Sequence, residues 1–332
     1  MEFTAASAKQ LNEGLAAIDF SIAIPDVGSA QTDLIRCYLS HYGLDRLKTP
    51  WPINHYLGTF DSLDYRLACH YFAVPEDRRR ANIVVLHGYY DHVGLFRHAI
   101  EHCLSRGLSV LAFDLPGHGL SSGKPAAIES FDHYSQALTD CLSVACNNGV
   151  AGPWHVLAQS TGAAAVINCL LRGDGFRPAE LNKIVLLAPL LRPTGWNAGL
   201  WKYHLLRWFV TRVKREFAVN SHDEEFLKFI FEQDPLQARF LQIDWVRALK
   251  DYLETFDSAD CCSAAIHIIQ GTEDTTVDWI YNLPALTAKF PSARTYLIDG
   301  ARHHMVNESK FYRDKIFAVV DEILQESGVK GS

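Results

Sequence analysis

The segment that most restricts how this chain can fold is "WHVLAQSTGAAAVINCLL", residues 154–171. A short β-prone run reaches Ser160 and a run of small and apolar residues follows at once, so a strand turns into a helix with almost no loop between them. A turn that tight requires small neighbours, and Ala158 and Gly162 flank the serine. Such a nucleophile elbow holds its serine in strained geometry, with the hydroxyl out over the sheet and a helix amino terminus behind it. A helix-capping serine shares the S-x-G spacing, so the rest of the chain has to decide between the two.

The surrounding periodicity supplies a sheet for the elbow to sit on. "YRLACHYFAV" and "NIVVLH" are expected strands separated by the polar turn "PEDRRR", and 108–115, 154–158, 183–190, 265–271 and 294–300 are further ones. Most are continuous apolar runs separated by helical stretches, the pattern of an α/β fold whose mostly parallel sheet is flanked by helices. Residues 1–53 form an amino-terminal helical extension, since "SAKQLNEGLAAI" and "AQTDLIRCYLSHYGL" space their apolar residues by three and four. Between about 190 and 265 no strand is expected, and large aromatics such as Trp201, Trp208, Phe209, Phe217 and Trp245 accumulate. A connection this long is read as an inserted helical lid, 191–263, over a core of 54–190 and 264–326. Within it "SHDEEFLKFIFEQDP" opens with a capping box, Ser221 and Glu224, and stops at Pro235.

A serine nucleophile requires a base and a group that orients the base. After "AIHIIQG" comes Asp274, and after "RTYLIDG" come His303 and His304. The order Ser, acid, His, each just beyond a strand, is the one an elbow serine uses. Adjacent side chains diverge, so only one of the two histidines can meet Ser160. Asp278, a turn later, is a weaker rival for the acid. In the loop "HGYYDH" Gly88 lets the backbone bend close to a substrate, so that the N–H of Tyr89 can join that of Thr161 as an oxyanion hole. His87 is expected to stabilise that loop. His98 and His102 stand at metal-ligand spacing without a third ligand and are expected on a solvated helix face, so no metal is called for, nor any cofactor.

These segments together resemble a known group. "HGYYDHVGLF", "FDLPGHGLSSG", "AQSTGA", "GTEDTTVD" and "GARHHMVNE" are similar, in order, to the motifs of α/β-hydrolases of the monoglyceride lipase and lysophospholipase type, and "DPLQARFLQIDWVRAL" to the segment that closes their lid. The resemblance runs from about 54 to 322. It implies Ser160 as nucleophile, Asp274 as acid, His303 as base and Tyr89 and Thr161 as oxyanion donors, with a structural role for the loop of Asp114. Two departures stand out. Ala158 replaces the commoner glycine, which is sterically harmless, and Tyr89 and Tyr90 are bulky where small residues are usual, which narrows the acyl pocket.

Composition limits the alternatives. A net charge of −7 argues against nucleic acid. The amino terminus lacks the pattern of a signal peptide, and the eight cysteines form no C-x-x-C pair. Buried reduced thiols, Cys261 and Cys262 among them, and a cytoplasmic setting are therefore expected. Serine rather than aspartate at the elbow disfavours dehalogenase and epoxide-hydrolase chemistry. An aromatic lid favours a monoacyl lipid ester, since each buried methylene contributes about 0.8 kcal/mol. A small ester or thioester, an amide as in proline iminopeptidases, and a binding protein on a hydrolase scaffold are the alternatives. Finally, 200–217 carries Lys202, Arg207, Arg212, Lys214 and Arg215 beside Trp201, Leu205, Trp208, Phe209 and Val213. One helix with an aromatic face and basic fringe is expected there, able to contact a membrane peripherally.

Overall fold

A computed structural model describes residues 2–24, 30–173 and 181–325. Two helices, α1 (Ala5–Gly14) and α2 (Ala30–Tyr42), precede the sheet. Its strands are β1 (Asn54–Ser62), β2 (Tyr65–Ala73), β3 (Ala81–Leu86), β4 (Leu108–Phe113), β5 (Trp154–Gln159), β6 (Leu181–Leu187), β9 (His267–Gly271) and β10 (Arg294–Ile298). They lie in the order β1-β2-β4-β3-β5-β6-β9-β10. The β1-β2 and β2-β4 pairs are antiparallel and the rest parallel.

Every residue of β3, β4 and β5 is buried, because helices cover both faces. Alternate side chains of each strand serve different cores. Val84 and Leu86 pack with α4 (Phe131–Asn147), α5 (Thr161–Arg172), α8 (Ile243–Ser258) and α9 (Trp279–Lys289). Ile83 and Val85 pack with α1, α2, α3 (Arg97–Leu104) and α10 (Lys310–Gln325). The sequence did not mark β1, "NHYLGTFDS", whose polar residues and glycine dilute the alternation.

The inserted segment carries α6 (Trp196–Leu206), β7 (Arg212–Lys214), α7 (Glu224–Glu232), β8 (Phe240–Gln242) and α8. It is not wholly helical: β7 and β8 pair antiparallel as a two-stranded ribbon. The single helix expected over 200–217 therefore ends at Leu206. Phe209, Val210 and Thr211 follow, a bulky and β-branched stretch ill suited to a helix, and the Thr211 carbonyl accepts the N–H of Ile243, drawing the chain into the ribbon. Nor does Ser221 cap α7. Asp223 accepts the N–H of Phe226 in that role, while Ser221 donates to the carbonyl of Asn307.

Two side-chain expectations also fail. His102 bonds Asp321 at 2.9 Å and stacks on Phe317 of α10, and His98 is half-buried, so this face is packed rather than solvated. Cys261 is exposed and Cys262 half-buried, because the stretch ahead of β9 is irregular and lies at the surface. Among the described residues no cysteine is in a disulfide.

Candidate active site

Ser160 occupies the single residue between β5 and α5, at φ 52° and ψ −112°. A non-glycine residue there stores about 1–3 kcal/mol of strain, which the surrounding packing has to hold. Its N–H is tied to the carbonyl of Leu187 on β6 at 2.9 Å. Gly162 shows why small residues are needed. A Cβ there would lie 2.6 Å from the carbonyl oxygen of His87 and 2.9 Å from Cβ of Leu86. Ala158 is completely buried in the same packing.

The loops after β9 and β10 bring two more groups to this point. A Cβ on Gly271 would collide with the carbonyl of Ala301, so the two loops meet closely. The result is a continuous line. Nε2 of His303 lies 3.0 Å from Oγ of Ser160, and Nδ1 of His303 lies 2.7 Å from Oδ2 of Asp274. Asp274 also accepts from Gln270 and from the N–H groups of Thr276 and Val277. Burial alone would favour neutral Asp274, but His303 and these donors outweigh it and lower its pKa. Burial would likewise lower the pKa of His303, and Asp274 turns the balance so that it is raised above the usual histidine value. The rival acid is elsewhere: Asp278 caps α9 by accepting the N–H of Tyr281.

The second histidine has its own carboxylate. His304 Nε2 lies 3.0 Å from Oδ1 of Asp91, which its neighbour holds ionised with a pKa of about 2 against the opposing effect of burial. Asp91 belongs to the loop 87–92, whose Gly88 abuts the serine. A Cβ built on Gly88 would stand 3.2 Å from Cβ of Ser160. The Gly88 carbonyl is pinned from behind by Nδ1–H of His87 at 2.8 Å and by the N–H of Asp91. His87 Nε2 meanwhile accepts the N–H of Leu115 at 2.9 Å, which fixes its neutral tautomer. In a trans peptide the N–H points opposite the C=O, so the N–H of Tyr89 faces away from these anchors. The N–H of Thr161 heads α5, where a helix leaves its first amides without intrahelical partners. Asp114, fully buried, accepts the N–H groups of Val93 and Leu120 and braces the same loop.

The inserted segment covers the loop with residues the sequence did not single out for the site. Trp245 of α8 stacks on Tyr89 at 3.9 Å between ring centres, and Tyr89 donates to the carbonyl of Ala126. Arg215 lies 3.8 Å over the ring of Tyr90 and 4.4 Å over Phe217, and bonds Gln237. This corrects its assignment to a basic outer fringe. Its aromatic neighbours draw the guanidinium inward, as a planar cation stacks on rings. Asp234 is buried beside His92 and Gln237. Of these, only the segment "DPLQARFLQIDW" carried a signal, and it named no individual side chain.

Residues 77–310 match the model of the serine aminopeptidase S33 family of hydrolases. The chain belongs to that family. A monoacylglycerol lipase of Mycolicibacterium smegmatis is 30% identical over 116 residues, 35% of this hydrolase and 40% of the lipase, so the match spans well under half of that relative. Among solved structures, a soluble variant of monoglyceride lipase from Saccharomyces cerevisiae, in complex with a substrate analog, has a TM-score of 0.71 at 16% identity. It covers 85% of the hydrolase and 98% of its own chain. The Paleococcus ferrophilus monoacylglycerol lipase gives 0.65 at 21%, covering 79% and 99%. At such identities the likeness establishes the fold, that of an α/β-hydrolase.

Proposed function

We propose that this hydrolase is a serine esterase that cleaves carboxylic esters of monoacyl lipids, a lysophospholipid or monoacylglycerol, through an acyl-enzyme. The line Ser160–His303–Asp274 carries the reading. His303 takes the Ser160 proton as Oγ attacks the ester carbonyl, Asp274 holds the imidazole in the required tautomer, and the N–H groups of Tyr89 and Thr161 receive the charge on the carbonyl oxygen. His303 then protonates the leaving alkoxide, and water repeats the sequence on the acyl-enzyme. His87, Gly88, Ala158 and Gly162 support the elbow and its facing loop.

Segment 191–263 acts as the lid. Its rings near the site, Phe217 and Trp245, favour an apolar acyl chain over a small ester or thioester. The family's name includes aminopeptidases, whose substrates present an ammonium group. The charges near this loop oppose that use, since Arg215 is a cation and Asp91 is already paired with His304. A hydrolysis screen over acyl length and head group tests the substrate class, with aminoacyl amides as the contrast. Faster cleavage of aminoacyl amides than of any long-chain ester would overturn it. Labelling by a fluorophosphonate separates an esterase from a binding protein on this scaffold, which would not react.

A surface feature supports peripheral contact with a membrane. Trp201, Trp208 and Phe209 are 68%, 77% and 82% exposed, with Leu205 beside them and Lys202, Arg207, Arg212 and Lys214 close in sequence. Exposed rings with a basic fringe fit an anionic lipid surface. Among the described residues no helix is long and apolar enough to cross a bilayer. The cytoplasm is the proposed compartment, in keeping with the lack of disulfides among the described residues.

A further inference from the structure

The amino-terminal extension lies outside the region matched by the family, yet one of its side chains reaches the loop that faces the nucleophile. Tyr42, the last residue of α2, donates its hydroxyl to Oδ1 of Asp234 at 2.7 Å. Asp234 sits in the inserted segment and is 2% exposed. Its Oδ2 bonds Nε2 of His92 at 3.0 Å and accepts from the Gln237 amide at 2.9 Å. That same amide donates to the carbonyl of Tyr90 at 3.1 Å. The two ends of the turn Tyr90–His92 therefore both hang from one carboxylate, and Tyr42 fixes that carboxylate from the far side. The turn needs fixing, because Tyr90 adopts φ 70°, a conformation L residues rarely hold unaided. The Tyr42 ring is seated as closely as its hydroxyl. It meets His92 edge-on at 4.8 Å, and a Cβ on Gly94 would come within 2.7 Å of it.

We propose that Tyr42 is a positioning residue for the oxyanion loop: through Asp234 it holds His92 and Gln237, and so the peptide that offers the Tyr89 N–H. The amino-terminal extension is then a working part of the site. This rests on the esterase reading, with Tyr89 as a donor. Removing a donor outright costs about 10²–10³ in rate, and loosening one that stays in place costs less. Tyr42→Phe keeps the ring and loses only the hydroxyl, so the fold should persist.

The test compares wild type, Tyr42→Phe and Asp234→Asn as full-length proteins on a p-nitrophenyl ester. It follows kcat, KM and the melting temperature, together with affinity for an alkyl trifluoromethyl ketone that forms the tetrahedral adduct. For Tyr42→Phe the expected result is a fall in kcat of about tenfold, KM within about twofold, and adduct affinity weakened in step with kcat. Asp234→Asn should exceed it in the same direction. A lower melting temperature with unchanged kcat and unchanged adduct affinity in Tyr42→Phe would make the residue merely structural and overturn the proposal. Wild-type protein that hydrolyses no ester would remove the esterase reading and this proposal together, whereas active wild type with an equally active Tyr42→Phe removes the proposal alone.

Discussion

The central sheet and the inserted segment build their shares of the site in different ways. Ser160, Asp274 and His303 each stand within a few residues of a strand end, so the strand itself aims them. Arg215, Asp234, Gln237 and Trp245 come from a ribbon, a turn and a helix whose placement depends on contacts with the loop they cover. Side chains of the first kind are set by local chemistry, and those of the second kind by long-range packing. The first group should therefore carry the bond-making steps, and the second should tune position and access.

The largest effects should fall on the sheet-borne group. Ser160→Ala should lower turnover by about 10⁶ while leaving the melting temperature unchanged, because the hydroxyl adds nothing to the core. Activity above a few per cent would remove Ser160 as nucleophile. Asp274→Asn should cost about 10⁴, since an amide stabilises the wrong tautomer of the base. The two adjacent histidines divide the roles sharply. His303→Ala should be inactive, whereas His304→Ala should keep most activity and instead melt a few degrees lower, because Asp91 would lose its buried partner. Inactive His304→Ala with active His303→Ala would reverse the assignment.

Proton linkage separates the regions in a second way. His303 must be neutral to accept the serine proton, and its pKa is raised by Asp274 despite burial. The rate constant kcat/KM should accordingly rise with pH along a limb centred above about 6.5, the unperturbed histidine value. In Asp274→Asn the raising charge is gone, so the limb should move toward acid. A limb that stays in place would mean that another group controls it. Variants in the inserted segment such as Arg215→Gln should leave the limb where it is.

The same division explains what could be read from the chain alone. The buried strands were legible because β3 to β5 are largely apolar runs, and Ser160, Asp274 and His303, which the structure brings together, stood out because each follows a run read as a strand. His87 is expected from the sequence to stabilise its loop, and its bonds to Gly88 and Leu115 are of that kind. The strand β1 was hidden by its mixed polarity, and the ribbon β7-β8 by its length of three residues a side. Nothing in the period of α2 hinted that Tyr42 ends against Asp234, some 190 residues later. A hydrogen bond across that separation leaves no local pattern. Arg215 was misplaced for the same reason, since a basic residue among basic residues looks like an outer fringe until a ring is found beneath it.

Arg215 and Lys214 are neighbours on opposite sides of this division, and they offer the smallest but sharpest comparison. Lys214 is exposed on β7 while Arg215 is turned toward Tyr90 and Gln237. If the outer face of the insert meets anionic lipid, Lys214→Gln and Arg212→Gln should each weaken binding to vesicles rich in phosphatidylserine by about fivefold, the equivalent of about 1 kcal/mol per cation near the surface. Added salt should weaken wild-type binding in the same direction. Trp208→Ala or Phe209→Ala should reduce binding to neutral and anionic vesicles alike, because those rings contribute burial rather than charge. Arg215→Gln should leave vesicle binding nearly unchanged and instead lower kcat/KM for a long-chain ester by a few-fold, through the loosened Tyr90 and Gln237. Co-sedimentation and ester kinetics on the same variants decide the matter. Equal loss of vesicle binding in Lys214→Gln and Arg215→Gln would place both on the outer fringe, and negligible binding of wild type to any vesicle would leave the exposed rings without a lipid role.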